Sequence, residues 1–208
     1  MELYEAIKTR KTIRDFSDKP VAREVIERII SAAFLAPSNN HMREWHFVLL
    51  DDRVKRDKIL LDTISPISAK GALGIINRWQ LKDISQRAMY LDAIPKQISM
   101  LRDCACLILP CFRQYSPLLK PKTLSDLNNL ASIWLAIENI LLAAAAEGVF
   151  GVTRIPGETE RARLKEYCQI PDGYEIPCLL ALGYPAENAK RAAQVEINLP
   201  ERIHQNTW

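Results

Sequence analysis

The stretch from Ser125 to Glu147 constrains the fold more than any other part of the chain. Leu127, Leu130, Ile133, Trp134, Leu135, Ile137, Ile140, Leu141 and Leu142 leave almost no polar side on a helix of that length. A helix apolar all round has to be covered all round. Gly148 follows, a residue suited to the left-handed turn that ends many helices. In 208 residues few other elements are available as cover. The pattern therefore predicts a central helix with one face on the chain's own core and the other on a second subunit. It is not read as a membrane span: its longest apolar run, Ile133 to Ala146, is interrupted by Glu138 and Asn139 and falls short of the roughly 20 residues a bilayer needs.

Other elements follow from periodicity and punctuation. Val21, Val25, Ile26, Ile29, Ile30, Ala33 and Phe34 recur at helical spacing, and Pro37 ends the run. Glu2 to Thr9 reads as a short helix with Leu3, Ile7 and Tyr4 turned inward. Trp45–Leu50, Cys104–Phe112, Val149–Ile155 and Ile176–Gly183 read as strands. Arg53–Leu61 and Glu158–Tyr167 read as helices, and residues 83 to 101 as a helix divided at Pro95. Between Asp62 and Leu81, Pro66, Gly71 and Gly74 fit either a mobile lid or a broken helix. After Pro185 the chain loses periodicity yet keeps Val195, Ile197, Leu199, Ile203 and Trp208, which predicts an arm wrapped around a partner. The whole reads as a single α+β domain, residues 1–208, with an arm from about residue 186.

Composition removes several classes. Apolar residues make up 48% and charged residues 25%, ordinary for a globular chain, and the net charge of +3 is spread among acidic residues, so no nucleic-acid footprint is expected. Met1-Glu2-Leu3-Tyr4-Glu5 lacks the layout of a secretory signal, and a cytoplasmic protein without membrane attachment is expected. The five cysteines are odd in number and mostly in strand-like runs, which excludes a disulfide framework. Neither Cys104-x-Cys106 nor the spacing of His41, His46 and His204 suits a metal, and none is expected.

Chemistry concentrates in Thr9-Arg10-Lys11-Thr12-Ile13-Arg14-Asp15-Phe16. Guanidinium groups match phosphate oxygens two at a time, and Lys11 adds a point charge. Alone, the segment could equally be a solvated basic turn. It stands, however, in a particular order with Ala36-Pro37-Ser38 and Trp45-His46-Phe47-Val48, then Gly148 with Ile170-Pro171-Asp172-Gly173-Tyr174, and last Ala181-Leu182-Gly183-Tyr184-Pro185-Ala186-Glu187. That order resembles the FMN-dependent nitroreductase family over essentially the whole chain.

The resemblance implies an intertwined homodimer of α+β subunits, each a mainly antiparallel sheet surrounded by helices, with exchanged C-terminal arms and FMN in the interface. It implies that Arg10, Lys11, Thr12 and Arg14 hold the phosphate and ribityl chain, a dianion that calls for several fixed cations. Pro37, Ser38, Asn39 and Asn40 would come from the other subunit to line the flavin ring. Gln97 would make a polar contact to the ring, and the Thr153-Arg154-Ile155-Pro156 turn would cover it, mostly through backbone groups. Lys190 or Arg191 would reach the phosphate from the arm, or form a solvated turn. The implied activity is a two-step hydride transfer through flavin N5, from NADH or NADPH to a small electron-poor acceptor such as a nitroaromatic or quinone. No catalytic side chain is named, because the cofactor carries the chemistry.

Where the family commonly reads Asn-x-Gln-Pro-Trp, this chain has His41-Met42-Arg43-Glu44-Trp45. Arg43 either tunes the flavin's pyrimidine edge or turns outward to pair with Glu44. Trp79 falls where the family places a substrate lid and is read as either a stacking or a packing residue. Alternative activities are a specialised reductive reaction, dehalogenating or flavin-cleaving, or a flavin-binding regulatory protein without efficient turnover.

Overall fold

The structure, a computed structural model, describes residues 1–192 and 194–208; Ala193, inside the expected arm, lies outside the described residues. Five strands form its centre: β1 (Trp45–Leu49), β2 (Cys106–Arg113), β3 (Phe150–Arg154), β4 (Tyr174–Glu175) and β5 (Leu179–Gly183). They run in the order β1-β2-β5-β3, with β4 paired to β2, and every ladder is antiparallel. Register sets Val48 against Leu109, Ile108 against Leu180, and Val152 against Ala181.

Side chains alternate across a strand, so a strand apolar throughout has to be covered on both faces. β2 and β5 show this. Cys106, Ile108, Phe112, Leu180 and Leu182 join one core with α2 (Arg23–Ala33) and α7 (Asn128–Ala146). Leu107, Leu109, Cys111, Leu179 and Ala181 join a second with α3 (Arg53–Thr63), α6 (Ser99–Asp103) and α8 (Glu158–Tyr167). The expected antiparallel sheet surrounded by helices is therefore the observed one.

α7 is the central helix. A 3-10 turn at Leu124–Leu127 leads into it, held by a capping box between Thr123 and Asp126, and Gly148 ends it at φ 72°. By length and composition alone Leu124–Ala146 could cross a membrane, with mean hydropathy 1.5, contrary to the sequence expectation. The difference arises because the helix runs on through serines and asparagines that end an uninterrupted apolar run without lowering the average much. Its packing is that of a core helix: Ile133, Ala136, Ile137, Ile140 and Ala144 are buried against the sheet and α2. Leu135, on the other side, is 49% exposed.

Two expectations need correction. In α1 (Leu3–Thr9) only Ala6 is buried; Leu3, Tyr4 and Ile7 point away from this chain, because so short a helix lying on α7 covers a single side chain. Residues 62 to 81, read as either a mobile lid or a broken helix, do not form one broken helix. α3 ends at Thr63, and α4 (Ala69–Arg78) packs on α5 (Ile84–Ala93) through Ala72, Ile76, Ile94 and Tyr90. Ser68 and Asp83 cap them, accepting from the backbone N–H of Gly71 at 3.2 Å and Gln86 at 2.8 Å. Pro95 divides the next segment as expected, opening a 3-10 turn before α6. Val195, Ile197, Leu199, Ile203 and Trp208 of the arm are exposed within one chain.

Candidate functional site

The basic segment is held as an extra extended piece along the ends of β3 and β5. Thr12 bridges Gly151, the Ile13 N–H donates to the Gly151 carbonyl at 3.2 Å, and Phe16 bridges Pro185. Ile13 is fully buried and fixes the segment's register. Glycine is required beneath it: a Cβ on Gly151 would stand 2.6 Å from the Ala181 carbonyl oxygen.

Its cations differ in their partners. Arg10 meets Glu138 on α7 at 3.4 Å, a partly exposed pair of little energetic weight. Asp15 does not pair with the cations of its own segment but receives Lys96, at 2.8 and 3.0 Å to its two oxygens. Among the described residues no carboxylate lies within 4.0 Å of Lys11 or Arg14. Burial pushes the Arg14 pKa down, with Tyr90, Asp92 and Asp15 pulling the other way. A half-buried guanidinium without a carboxylate is ready for an external anion.

Arg14 borders a cavity of about 380 Å³ together with Gln97, Thr153, Arg154 and Ile155, all expected site residues. Trp79 and Tyr90 stand at its wall, ring centroids 5.3 Å apart and nearly perpendicular. Sequence reasoning missed Tyr90, which nothing distinguishes from a packed helix aromatic. Arg154 is 9% exposed and fully committed: Nη1 and Nη2 donate to Glu160 at 2.9 and 2.8 Å, and Nε donates to Gln97 Oε1 at 2.8 Å. Burial works against the Glu160 carboxylate, but Arg154 and the Gly157 N–H outweigh it and hold its pKa below the usual range. Two consequences follow. Gln97 is oriented with its amide NH2 left for a ligand, and the 153–156 turn offers the cavity backbone groups rather than the Arg154 side chain. Pro156 is buried and does not line the cavity.

Lys190 and Arg191 border a neighbouring hollow of about 330 Å³ that shares Arg14 with the first. Lys190 Nζ donates to Asp92 at 2.7 Å, whereas among the described residues no carboxylate lies within 4.0 Å of Arg191.

Pro37, Ser38, Asn39, Asn40 and Arg43 lie elsewhere. Pro37 is exposed, and the others line a small hollow with Tyr115, Asn129 and Ser132 that shares no residue with the Arg14 cavities. The Asn39 N–H donates to Ser132 Oγ at 3.0 Å, and the Arg43 N–H to Ser38 Oγ at 3.3 Å. Asn40, His41 and Arg43 adopt φ of 56°, 56° and 47°, a run of left-handed residues that stores strain. The Tyr115 hydroxyl donates to Glu44 at 2.5 Å; Glu44 is thereby engaged, and the Arg43–Glu44 pair does not form. The buried cysteines are inert: burial raises Cys104 to about 11 and Cys106, Cys111 and Cys178 to about 12.

Known proteins resemble this chain in sequence and in fold. A protein of Methanothermobacter thermautotrophicus, provisionally named NADH dehydrogenase/NAD(P)H nitroreductase, is 28% identical over all of this chain and 88% of its own length. The iodotyrosine deiodinase of Danio rerio is 28% identical over 90% of this chain, which spans 61% of that longer protein. The crystal structure of oxidized iodotyrosine deiodinase bound to FMN and 3-iodo-L-tyrosine matches over the full length of both chains, with TM-score 0.74 and 19% identity, a likeness of fold. The model of the nitroreductase family matches residues 7–184, a span that holds the basic segment, the strained turn and the Arg154 anchor. By that match this chain belongs to the nitroreductase family.

Proposed function

We propose that the chain is an FMN-dependent oxidoreductase, working as a homodimer, that takes electrons from NADH or NADPH and passes them to a small electron-poor acceptor such as a nitroaromatic or quinone. The observation that carries this is Arg14: half-buried, without a carboxylate partner, at the junction of two cavities whose walls hold five expected site residues in one and both arm cations in the other. The residues fit FMN. Arg10, Lys11, Thr12, Arg14 and Arg191 supply donors suited to a dianionic phosphate. Gln97, fixed through Arg154, presents its NH2, and the Thr153 and Ile155 backbone supports one side of a flat ring. FMN, when bound, would supply the two-electron carrier.

The split between the Arg14 cavities and the Ser38–Arg43 hollow supports a second copy as the source of the other wall. In that arrangement Asn39, Asn40 and Arg43 reach the ring from the partner and keep water from one side. Arg43 brings an unpaired positive charge, which stabilises negative charge developing on a reduced ring.

The test is spectroscopic. The purified protein, given FMN, should acquire a flavin absorption spectrum that bleaches on anaerobic mixing with NADH or NADPH. Flavin uptake without bleaching by either nicotinamide would favour a binding protein over an enzyme. The relatedness to iodotyrosine deiodinases and the Trp79–Tyr90 pair at the cavity wall favour a second reading, reductive dehalogenation of a halogenated phenol. Turnover of 3-iodotyrosine in preference to a nitroaromatic would select it.

A further inference from the structure

The two acids nearest Arg14 are Asp15 and Asp92, and both share a hollow with it. Either could capture the guanidinium. Neither does, and the reason is visible atom by atom. Lys96 Nζ donates to Asp15 Oδ1 at 2.8 Å, to Asp15 Oδ2 at 3.0 Å and to Asp92 Oδ2 at 2.9 Å. Lys190 Nζ takes the remaining oxygen, Asp92 Oδ1, at 2.7 Å. All four carboxylate oxygens beside Arg14 are thus occupied by ammonium groups. Lys96 is the stronger element, its side chain 27% exposed against 71% for Lys190. It also spans two parts of the fold, reaching from the Pro95 turn to the basic segment and to α5.

We infer that Lys96 is a positioning residue: by holding Asp15 and Asp92 it withholds them from Arg14, and so keeps that guanidinium available to an anionic ligand. Lys190, one of the two arm residues that the resemblance offered for the phosphate, acts instead as the second holder of Asp92 and latches the start of the arm to α5. This rests on the reading of Arg14 as a cofactor residue. It adds that the site needs two lysines that never touch the ligand.

Four proteins test it: wild type, Lys96→Arg, Lys96→Met, and Lys96→Met combined with Asp15→Asn, each titrated with FMN by quenching of flavin fluorescence. Lys96→Met frees Asp15 to compete for Arg14 and should weaken FMN about tenfold. Lys96→Arg should bind as wild type does. The double variant should recover to within about threefold of wild type, because Asp15 no longer competes and Lys190 still holds Asp92, although the Lys96 ion pairs are missing. A merely structural lysine would not be rescued this way, so a double variant as weak as the single one overturns the inference, as does a single variant that binds like wild type. The crystal structure of Lys96→Met is a readout free of FMN. It should show Asp15 within 4 Å of the Arg14 guanidinium, the ion-pair range; an unpaired Arg14 there overturns the inference. If wild type takes up no FMN, the cofactor reading falls by itself, and that crystal structure alone decides the role of Lys96.

Discussion

At Gly151 a single missing methyl lets β3 lie close on β5, and the Gly151 backbone in turn pairs with the basic segment. Its Cβ would press on backbone, the Ala181 carbonyl, which cannot swing aside as a side chain can. Gly151→Ala should therefore cost about 1–3 kcal/mol, as overpacking does, and disturb the backbone against which the Arg14 segment is held. A thermal melt checks this, and an unchanged midpoint would contradict it. Arg154 sets a second residue-scale test. Glu160→Gln leaves that guanidinium buried and half-partnered, at a cost of about 3 kcal/mol, and frees Gln97 to rotate. The pair also has a pH signature. Glu160 is held below its ordinary pKa in the folded state, so its contribution is complete above the unfolded value, near 4.3, and drains away as the solution is acidified through the folded one. Denaturant midpoints measured from about pH 6 to 3 should fall more steeply for wild type than for Glu160→Gln; parallel curves would contradict it. Arg14 stood out in the sequence through its charge cluster and the 153–156 turn through the family resemblance, and the structure brings both to one cavity. The Arg154–Glu160–Gln97 relay was not, since it depends on which of many carboxylates the fold brings within reach.

Among the elements, legibility followed periodicity. α8 was read to the residue, and β2, β5 and α7 within a few, because long apolar runs and regular spacing carry their own signal. β4, two residues long and held only by pairing with β2, carries none. α4 was obscured by its glycines. Gly71 sits in the first turn, where its N–H meets the Ser68 hydroxyl, and Gly74 faces open space, so neither breaks the helix. Gly74→Ala should accordingly stabilise the protein by about 0.5–1 kcal/mol, the ordinary gain for a helix interior. A lower melting temperature would mean that α4 is not the regular helix described. The orientation of α1 was misread for a different reason: amphipathic spacing tells which residues share a face and not whether that face meets its own chain. Leu3 and Tyr4, 62% and 76% exposed, are where a second molecule would supply the cover.

For the molecule as a whole, a consistent set of surfaces is left uncovered: the outer side of α1, Leu135 on α7, and the arm's Val195, Ile197, Leu199, Ile203 and Trp208. The candidate site is likewise divided, with Arg14, Gln97 and the Thr153 turn in one place and Asn39, Asn40 and Arg43 in another. Burial and site completion would both be met by the second copy that we propose, the cover that the all-round apolar helix was read to need. Deleting residues 186–208 should shift the protein toward monomer and weaken FMN together; loss of one without the other would separate the arm from the site. The most direct measurement is light scattering coupled to flavin absorbance on the protein eluting from a sizing column after incubation with FMN. The proposed composite site requires a particle of twice the chain mass carrying one FMN per chain. A colourless particle of single-chain mass would contradict it.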